Sequence, residues 1–330
     1  MRDVSTGQVV IRILDLETTG LDPATGGVCE LAAIDLVYSR DTESNSWSND
    51  LKAARSFETL VNPGCPIPPE ASGIHHLTDK DVAHSPPFLE ALQLMKETLG
   101  PCQFYAAHNA PFDSKWIAHA TGQPASEVPW LCTLKISREL FGELANHQLG
   151  TMRYALREPY FDDADVIGNP HEAIADVRVA FQILQRVLRQ HEPEALLQMS
   201  NDPVLRHPAF RIWFGKHRGL RFSDQIPDDY LRWMVGQPNM EPDKRLTAEH
   251  WLAWRRDNGI VVPEWHRGSR MKSEASVVRY LLPKAEVSQM LAADYKPKNA
   301  ADAIAYREFC HEHLEPWDWP RSWPHLDGEP

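Results

Sequence analysis

Leu14-Asp15-Leu16-Glu17-Thr18-Thr19-Gly20 is an apolar, β-like run that stops in two acids and a turn. In a strand, residues i and i+2 project from one face, so Asp15 and Glu17 point the same way. Two carboxylates held together repel unless positive charge sits between them, and a divalent cation is the usual answer. Taken alone the pair also reads as a turn former. Two further acid-bearing segments make it part of a set. Asp113 follows the Ala107-His108-Asn109 turn at the start of a helix, and Asp176 lies inside a helix, five residues after His171. A five-residue helical step turns side chains about 140° apart. His171 therefore meets Asp176 at one site only from the helix entrance or just before it. Asn169-Pro170, a capping side chain followed by Pro at a first helical position, puts it there.

Outward from this set, residues 1–192 read as strands followed by helices. Val9–Leu14, Val28–Val37, Ser56–Val61 and Gln103–Ala107 are short runs rich in apolar and β-branched residues, divided by Gly/Asp/Pro turns. Helices are expected over Pro69–Val82, Pro86–Leu99, Asp113–Ala120, Leu131–Phe141, Leu149–Leu156 and Pro170–Leu188, and a hairpin excursion over Ser39–Asn49. Residues 193–203 are polar and Pro-punctuated and read as a linker. Residues 204–256 read as a small α+β module: strands Phe210–Phe214 and Leu220–Phe222 about a Gly215–Gly219 turn, then helices Asp229–Val235 and Thr247–Arg256. Residues 257–330 form a C-terminal extension of unassigned role, with a helix expected over Ala300–Phe309. No repeat at solenoid periods is found.

Composition bounds the function classes. A chain of 330 residues holds about two domains. The five cysteines are isolated and odd in number, without a CxxC pair, which favours a reducing cytoplasm over a disulfide scaffold or zinc ribbon. No stretch approaches membrane-spanning length, and the first residues lack the apolar run of a signal peptide; a cytoplasmic protein without a membrane partner is expected. The net charge of −12 is uneven. Residues 1–190 carry 15 Lys/Arg against 25 Asp/Glu, whereas residues 204–256 carry 10 against 6, a locally basic module. Cations held by the acids would offset part of the total, so it does not exclude a polyanionic substrate.

The three acid-bearing segments resemble the motifs of the DnaQ-like (DEDDh) 3′→5′ exonucleases. The first matches as Asp15-Leu16-Glu17-Thr18-Thr19-Gly20-Leu21 and the second as His108-Asn109-Ala110-Pro111-Phe112-Asp113. The third, His171-Glu172-Ala173-Ile174-Ala175-Asp176, matches HxAxxD. Val61-Asn62-Pro63-Gly64 leading to Ile74-His75, and Leu131-Cys132-Thr133-Leu134-Lys135, fit as intermediate segments, so the match spans roughly residues 9–190. Within the superfamily the resemblance is greatest to the exodeoxyribonuclease X type. Phe214-Gly215-Lys216-His217-Arg218-Gly219 followed by Pro227-Asp228-Asp229-Tyr230-Leu231-Arg232-Trp233 looks like that type's C-terminal module. Asp22 stands where the X type has Gln.

The resemblance implies an α/β, RNase H-like exonuclease domain, a mixed sheet flanked by helices. It implies two Mg²⁺ (or Mn²⁺), the first held by Asp15, Glu17 and Asp176, the second by Asp15 with Asp113 helping through water. His171 would be the general base, a role that the ordinary histidine pKa near 6.5 suits. Thr18, Thr19, Gly20 and Leu21 would seat the terminal nucleotide, with His75, His108, Asn109 and Phe112 as further substrate-side candidates. His108 and Asn109 also read as turn-shaping, and His75 as structural. Lys216 and Arg218 read either as a solvated hairpin tip or as phosphate contacts. The Trp residues of the predicted helices, Trp233, Trp251 and Trp254, default to packing, although an exposed one can stack on a base. The expected substrate is the 3′ end of DNA, single-stranded or at duplex ends. A 3′→5′ exoribonuclease and a non-catalytic nucleic-acid-binding subunit are the alternatives, and oligomeric state is left open.

Overall fold

Alternation along the first strand decides which side chains meet which helices. The computed structural model describes residues 8–39, 54–124, 128–158, 167–169, 171–260 and 262; the expected 39–49 hairpin and 300–309 helix lie outside these, save Ser39. Five strands, β1 (Gln8–Thr18), β2 (Val28–Ser39), β3 (Ser56–Leu60), β4 (Phe104–Ala107) and β5 (Trp130–Cys132), form one sheet in the order β3-β2-β1-β4-β5. β1 pairs antiparallel with β2 and parallel with β4; β2–β3 is antiparallel and β4–β5 parallel. This is the mixed, helix-flanked sheet of the RNase H-like class.

Helices α1 (Pro69–His75), α2 (Asp79–Val82), α3 (Phe88–Leu99) and α4 (Ala110–Thr121) come first. They are followed by α5 (Thr133–Leu140), α6 (Leu149–Leu156), α7 (Ala173–Leu188) and α8 (Pro193–Asn201). Ile11 and Ile13 face a core built with Val177, Ala180, Phe181 and Leu184 of α7. Leu14 and Leu16 face the opposite core, with Leu92 and Met95 of α3 and Trp116 of α4. By the same parity Asp15 and Glu17 lie on the α7 side. Apolar on nearly every face, α7 is the central helix of its layer.

Four expectations change. Pro69–Val82 is two short helices, because His76 adopts a left-handed conformation (φ 63°) that closes α1 and Thr78 opens α2 with a capping box. Leu131 and Cys132 end a strand rather than begin a helix; β5 is only three residues long, too short for alternation to register. α7 begins at Ala173, not Pro170. The expected linker is instead α8: Pro193 starts it, Leu196 is buried, and the Ser200 hydroxyl accepts the Cys132 N–H at 2.8 Å. The first compact unit accordingly runs through Asp202 and the second begins at Pro203.

In the second unit the expected strands reduce to a single antiparallel bridge, Arg211↔Arg221. The ladder cannot lengthen because the chain turns immediately after Phe222: the Arg221 N–H donates to Gln225 and its guanidinium forks onto Asp224. Helices α9 (Asp228–Gly236) and α10 (Pro242–Asp257) close around Phe210, Ile212, Phe222, Leu231 and Trp251. The helix expected from Thr247 starts five residues earlier, at Pro242. Buried Arg255 fastens the unit, donating to the carbonyls of Ser223 (2.8 Å) and Ile226 (2.7 Å) and pairing with Asp228 (2.7 Å). Among the described residues no helix is long and apolar enough to cross a membrane.

Candidate active site

β1 carries its two acids to the point where the strand leaves the sheet. Glu17 lies directly opposite Glu30 of β2, and the register slips at the next residue, Thr18 pairing with Val28. That bulge begins the turn. The Thr19 N–H donates to the Gly27 carbonyl (2.9 Å) and the Gly27 N–H returns to the Thr19 hydroxyl (2.9 Å). Gly27 has no substitute here, since a Cβ would fall 2.2 Å from the Pro63 carbonyl oxygen. Thr18 closes the outer side by donating to the Gly20 carbonyl at 2.7 Å. Leu21, 82% exposed, stands out beyond it.

Asp176, one turn into α7, meets the two strand acids. One oxygen from each of Asp15, Glu17 and Asp176 lies within 4.8 Å of the others, the one such cluster among the described residues. Asp113 reaches the same neighbourhood from α4. It is 2% exposed, lies outside the 4.8 Å group, and accepts the Leu16 backbone N–H. Burial together with mutual repulsion governs their protonation. Desolvation first, then Asp113, Asp176, Glu17 and Glu30, holds Asp15 well above the ordinary carboxylate range. Glu17 is pushed up to about 8 by desolvation and by Asp176, Glu30 and Asp113; Asp113 is raised to about 8 by desolvation. Asp176 is raised by desolvation and partly relieved by the charge of His171 and its backbone N–H. Acids that cannot ionise together without help suit a divalent cation: converging hard oxygens at a strand end fit Mg²⁺ or Mn²⁺.

His171 sits two residues before the first residue of α7, exposed and left-handed (φ 67°). The sequence placed it at the helix entrance; the geometry adds how it is kept there. Asn169 and Glu172 bond side chain to side chain at 2.8 Å, and Glu30 accepts the N–H of Ala173, the first helical residue, at 3.1 Å. Glu30 is 8% exposed and thus caps α7 from across the sheet while standing beside Glu17. Sequence reasoning passed over it. The available signal was a single acid at a position sharing its face with Ala32, Ile34 and Leu36.

Other candidates are distributed around this centre. Asn109 starts α4 in a left-handed conformation (φ 87°), and its carbonyl accepts the Phe112 N–H. Phe112 packs edge-on against Trp116. His108 bonds Thr133 through Nδ1 (2.9 Å) and the His147 carbonyl through Nε2 (2.8 Å), a clamp on the turn; burial lowers its pKa to about 4. His75 is buried at the end of α1. Its Nδ1 accepts the Leu77 N–H, which leaves the ring proton on Nε2, beside the Thr18 backbone. An added Cβ at Gly20 meets nothing, so that position is open toward solvent. Lys216 and Arg218 are exposed on a turn of the second unit.

A mixed sheet that brings three acids together at one strand end, with a histidine at the entrance of the facing helix, defines a nuclease. The exonuclease family model (RNase_T: Exonuclease) matches residues 13–184, and the chain belongs to that family. Exodeoxyribonuclease 10 of Escherichia coli K12 is 29% identical over 248 residues, 74% of this chain and 99% of that protein. Because the first unit ends at residue 202, that similarity reaches into the second. A DNA polymerase III subunit epsilon-like protein of Rhodobacter capsulatus is 30% identical over 180 residues, 53% of this chain and 23% of that one. Among solved structures, Exonuclease X in complex with 5′ overhanging duplex DNA aligns with a TM-score of 0.41 and 23% identity, covering 58% of this chain and 99% of that one.

Proposed function

We propose that this chain hydrolyses DNA from the 3′ end, releasing 5′-nucleoside monophosphates. The observation that carries this reading is the convergence of Asp15, Glu17 and Asp176 within 4.8 Å, at a strand end and beside His171. The name of the Escherichia coli relative, an exodeoxyribonuclease similar over both units, favours DNA over RNA. In this reading Asp15, Glu17 and Asp176 hold one Mg²⁺ or Mn²⁺, and Asp15 with Asp113 holds a second. When bound, such ions supply Lewis acidity for the attacking water and the leaving oxygen. His171 takes the proton of the water whose oxygen forms the new P–O bond. The bond from phosphorus to the 3′-oxygen breaks, and that oxygen takes a proton from solvent. The Thr18–Leu21 turn seats the terminal nucleotide, Leu21 resting on the terminal base, with His75 holding the turn from behind. Asn109 and Phe112 line its approach, and Lys216 and Arg218 contact phosphates of the second unit's strand.

The test uses 5′-labelled single-stranded DNA, duplex DNA and RNA of one sequence, each with Mg²⁺, Mn²⁺ or EDTA. A ladder shortening from the 3′ end, fastest on DNA and absent in EDTA, is expected. Internal cuts or activity that survives chelation would overturn the mechanism, and a faster RNA ladder would replace DNA as the substrate.

A further inference from the structure

The second unit shows an aromatic feature that its folding does not need. Along α9, Leu231 and Met234 face the core of the unit. Tyr230 and Trp233, three residues apart on another face, stack at 5.1 Å between centroids with 24° between planes. Trp233 is 49% exposed. A large indole left half in water on a helix that already has a complete apolar stripe invites a ligand rather than a packing explanation.

The neighbouring turn is fitted to the same pair. Gly215 and Gly219 bracket Lys216-His217-Arg218, both with positive φ (67° and 92°). A Cβ on Gly215 would lie 2.5 Å from the Tyr230 hydroxyl, so only glycine lets the turn come this close. The approach lays the His217 ring edge-on to Tyr230 at 4.4 Å and brings Lys216 Nζ 5.5 Å from the Tyr230 centroid. Lys216 and Arg218 are both exposed. The result is an open indole face, a second ring beneath it, and cations alongside. The surrounding module carries 10 Lys/Arg against 6 Asp/Glu, in a chain whose total is −12.

We infer that Trp233, backed by Tyr230, is a stacking platform for an unpaired base of single-stranded nucleic acid, with Lys216 and Arg218 on the adjoining phosphates. Stacking on an aromatic ring tolerates any base, and flanking cations track the backbone without reading sequence. An exonuclease that works along a strand has use for such a hold, because it acts on every base alike. The inference rests on the nuclease reading above and adds a second place where the strand is bound.

The full-length protein in EDTA is titrated with 5′-fluorescein-labelled (dT)20 and with a matched oligomer of abasic residues, and anisotropy is read. Trp233→Leu, which keeps apolar contact with Tyr230 but cannot stack, should weaken (dT)20 binding about 5- to 100-fold. It should bind the abasic oligomer as the unsubstituted protein does. Trp233→Phe should stay near wild type, which separates stacking from loss of fold. Lys216→Ala with Arg218→Ala should weaken both oligomers and flatten the salt dependence by roughly one unit of slope. Hydrolysis of the p-nitrophenyl ester of thymidine 5′-monophosphate, a substrate with one base and no strand, should be the same in Trp233→Leu and wild type. Equal (dT)20 affinity in wild type and Trp233→Leu overturns the platform while leaving the nuclease reading intact. Equal loss on the abasic oligomer also overturns it, since the effect would not come from stacking and would point instead to a protein-facing surface. A wild-type enzyme inert on the ester and on DNA overturns both.

Discussion

Each acid at the end of β1 is held in a position it would leave if it could. Asp176 is the most informative to change because it comes from a different element than Asp15 and Glu17. Asp176→Asn keeps the shape, removes one charge, and should cut turnover by about 10²-fold or more. In EDTA at pH 8 the same change relieves repulsion and should raise the melting temperature by roughly 2–8 °C, for about 1–2 kcal/mol over a domain of this size. Lost activity with lowered stability would mark Asp176 as structural instead. Glu30 makes the complementary case. It accepts the Ala173 N–H and holds the helix entrance where His171 sits, so it acts through its neighbours. Glu30→Ala should lower kcat roughly tenfold while leaving KM nearly unchanged, and should cost about 0.5–2 kcal/mol as a lost cap. Glu30→Gln, which keeps an acceptor oxygen, should recover most of kcat. A rise in KM with kcat intact would place Glu30 on the substrate instead.

Elements explain why some of this was legible and some was not. The DLETTG strand end and the HxAxxD spacing carry their geometry in their periodicity, so Asp15, Glu17 and the β1–α7 relation could be read directly. Glu30 could not, because its partner is a backbone N–H 143 residues away that only the antiparallel β1–β2 register brings near. The 193–203 segment misled for a related reason: its polarity is that of a helix packed along one edge through Leu196 and Ser200, and Pro193 marks a helix start as readily as a break. In the second unit, length was the obstacle; a three-residue strand and a bridge look alike in sequence. What holds that unit is Arg255, whose guanidinium is spent on backbone carbonyls and Asp228. Arg255→Met strands a buried carboxylate and several carbonyls, and should cost about 3–5 kcal/mol. Denaturation followed by fluorescence of the tryptophan-rich second unit would register it; a loss below 1 kcal/mol would contradict the assigned role.

At the scale of the whole molecule, stability and function oppose each other through the acid cluster. Glu17 and Asp113, raised to about 8, bind protons more tightly in the folded chain than in the unfolded one, where carboxylates titrate near 4. Folded stability therefore falls as pH climbs through this interval, and the penalty is complete above about 8. His108, lowered to about 4, works in the opposite sense, but only below the ordinary histidine pKa near 6.5. Between pH 6.5 and 8.5 the acids act alone. In EDTA the melting temperature should drop across that window, and millimolar Mn²⁺ should remove most of the drop because it binds only the folded site. A flat EDTA profile would contradict the repulsion. The central claim, that this site releases nucleotides from the 3′ end, is tested most directly by the first product formed. Single-stranded DNA carrying a ³²P phosphate at its last internucleotide linkage, incubated briefly with enzyme and Mg²⁺, should yield the label as a 5′-mononucleotide, and Asp176→Asn should yield none. Label appearing first in oligonucleotides, or as a nucleoside 3′-phosphate, would contradict the account.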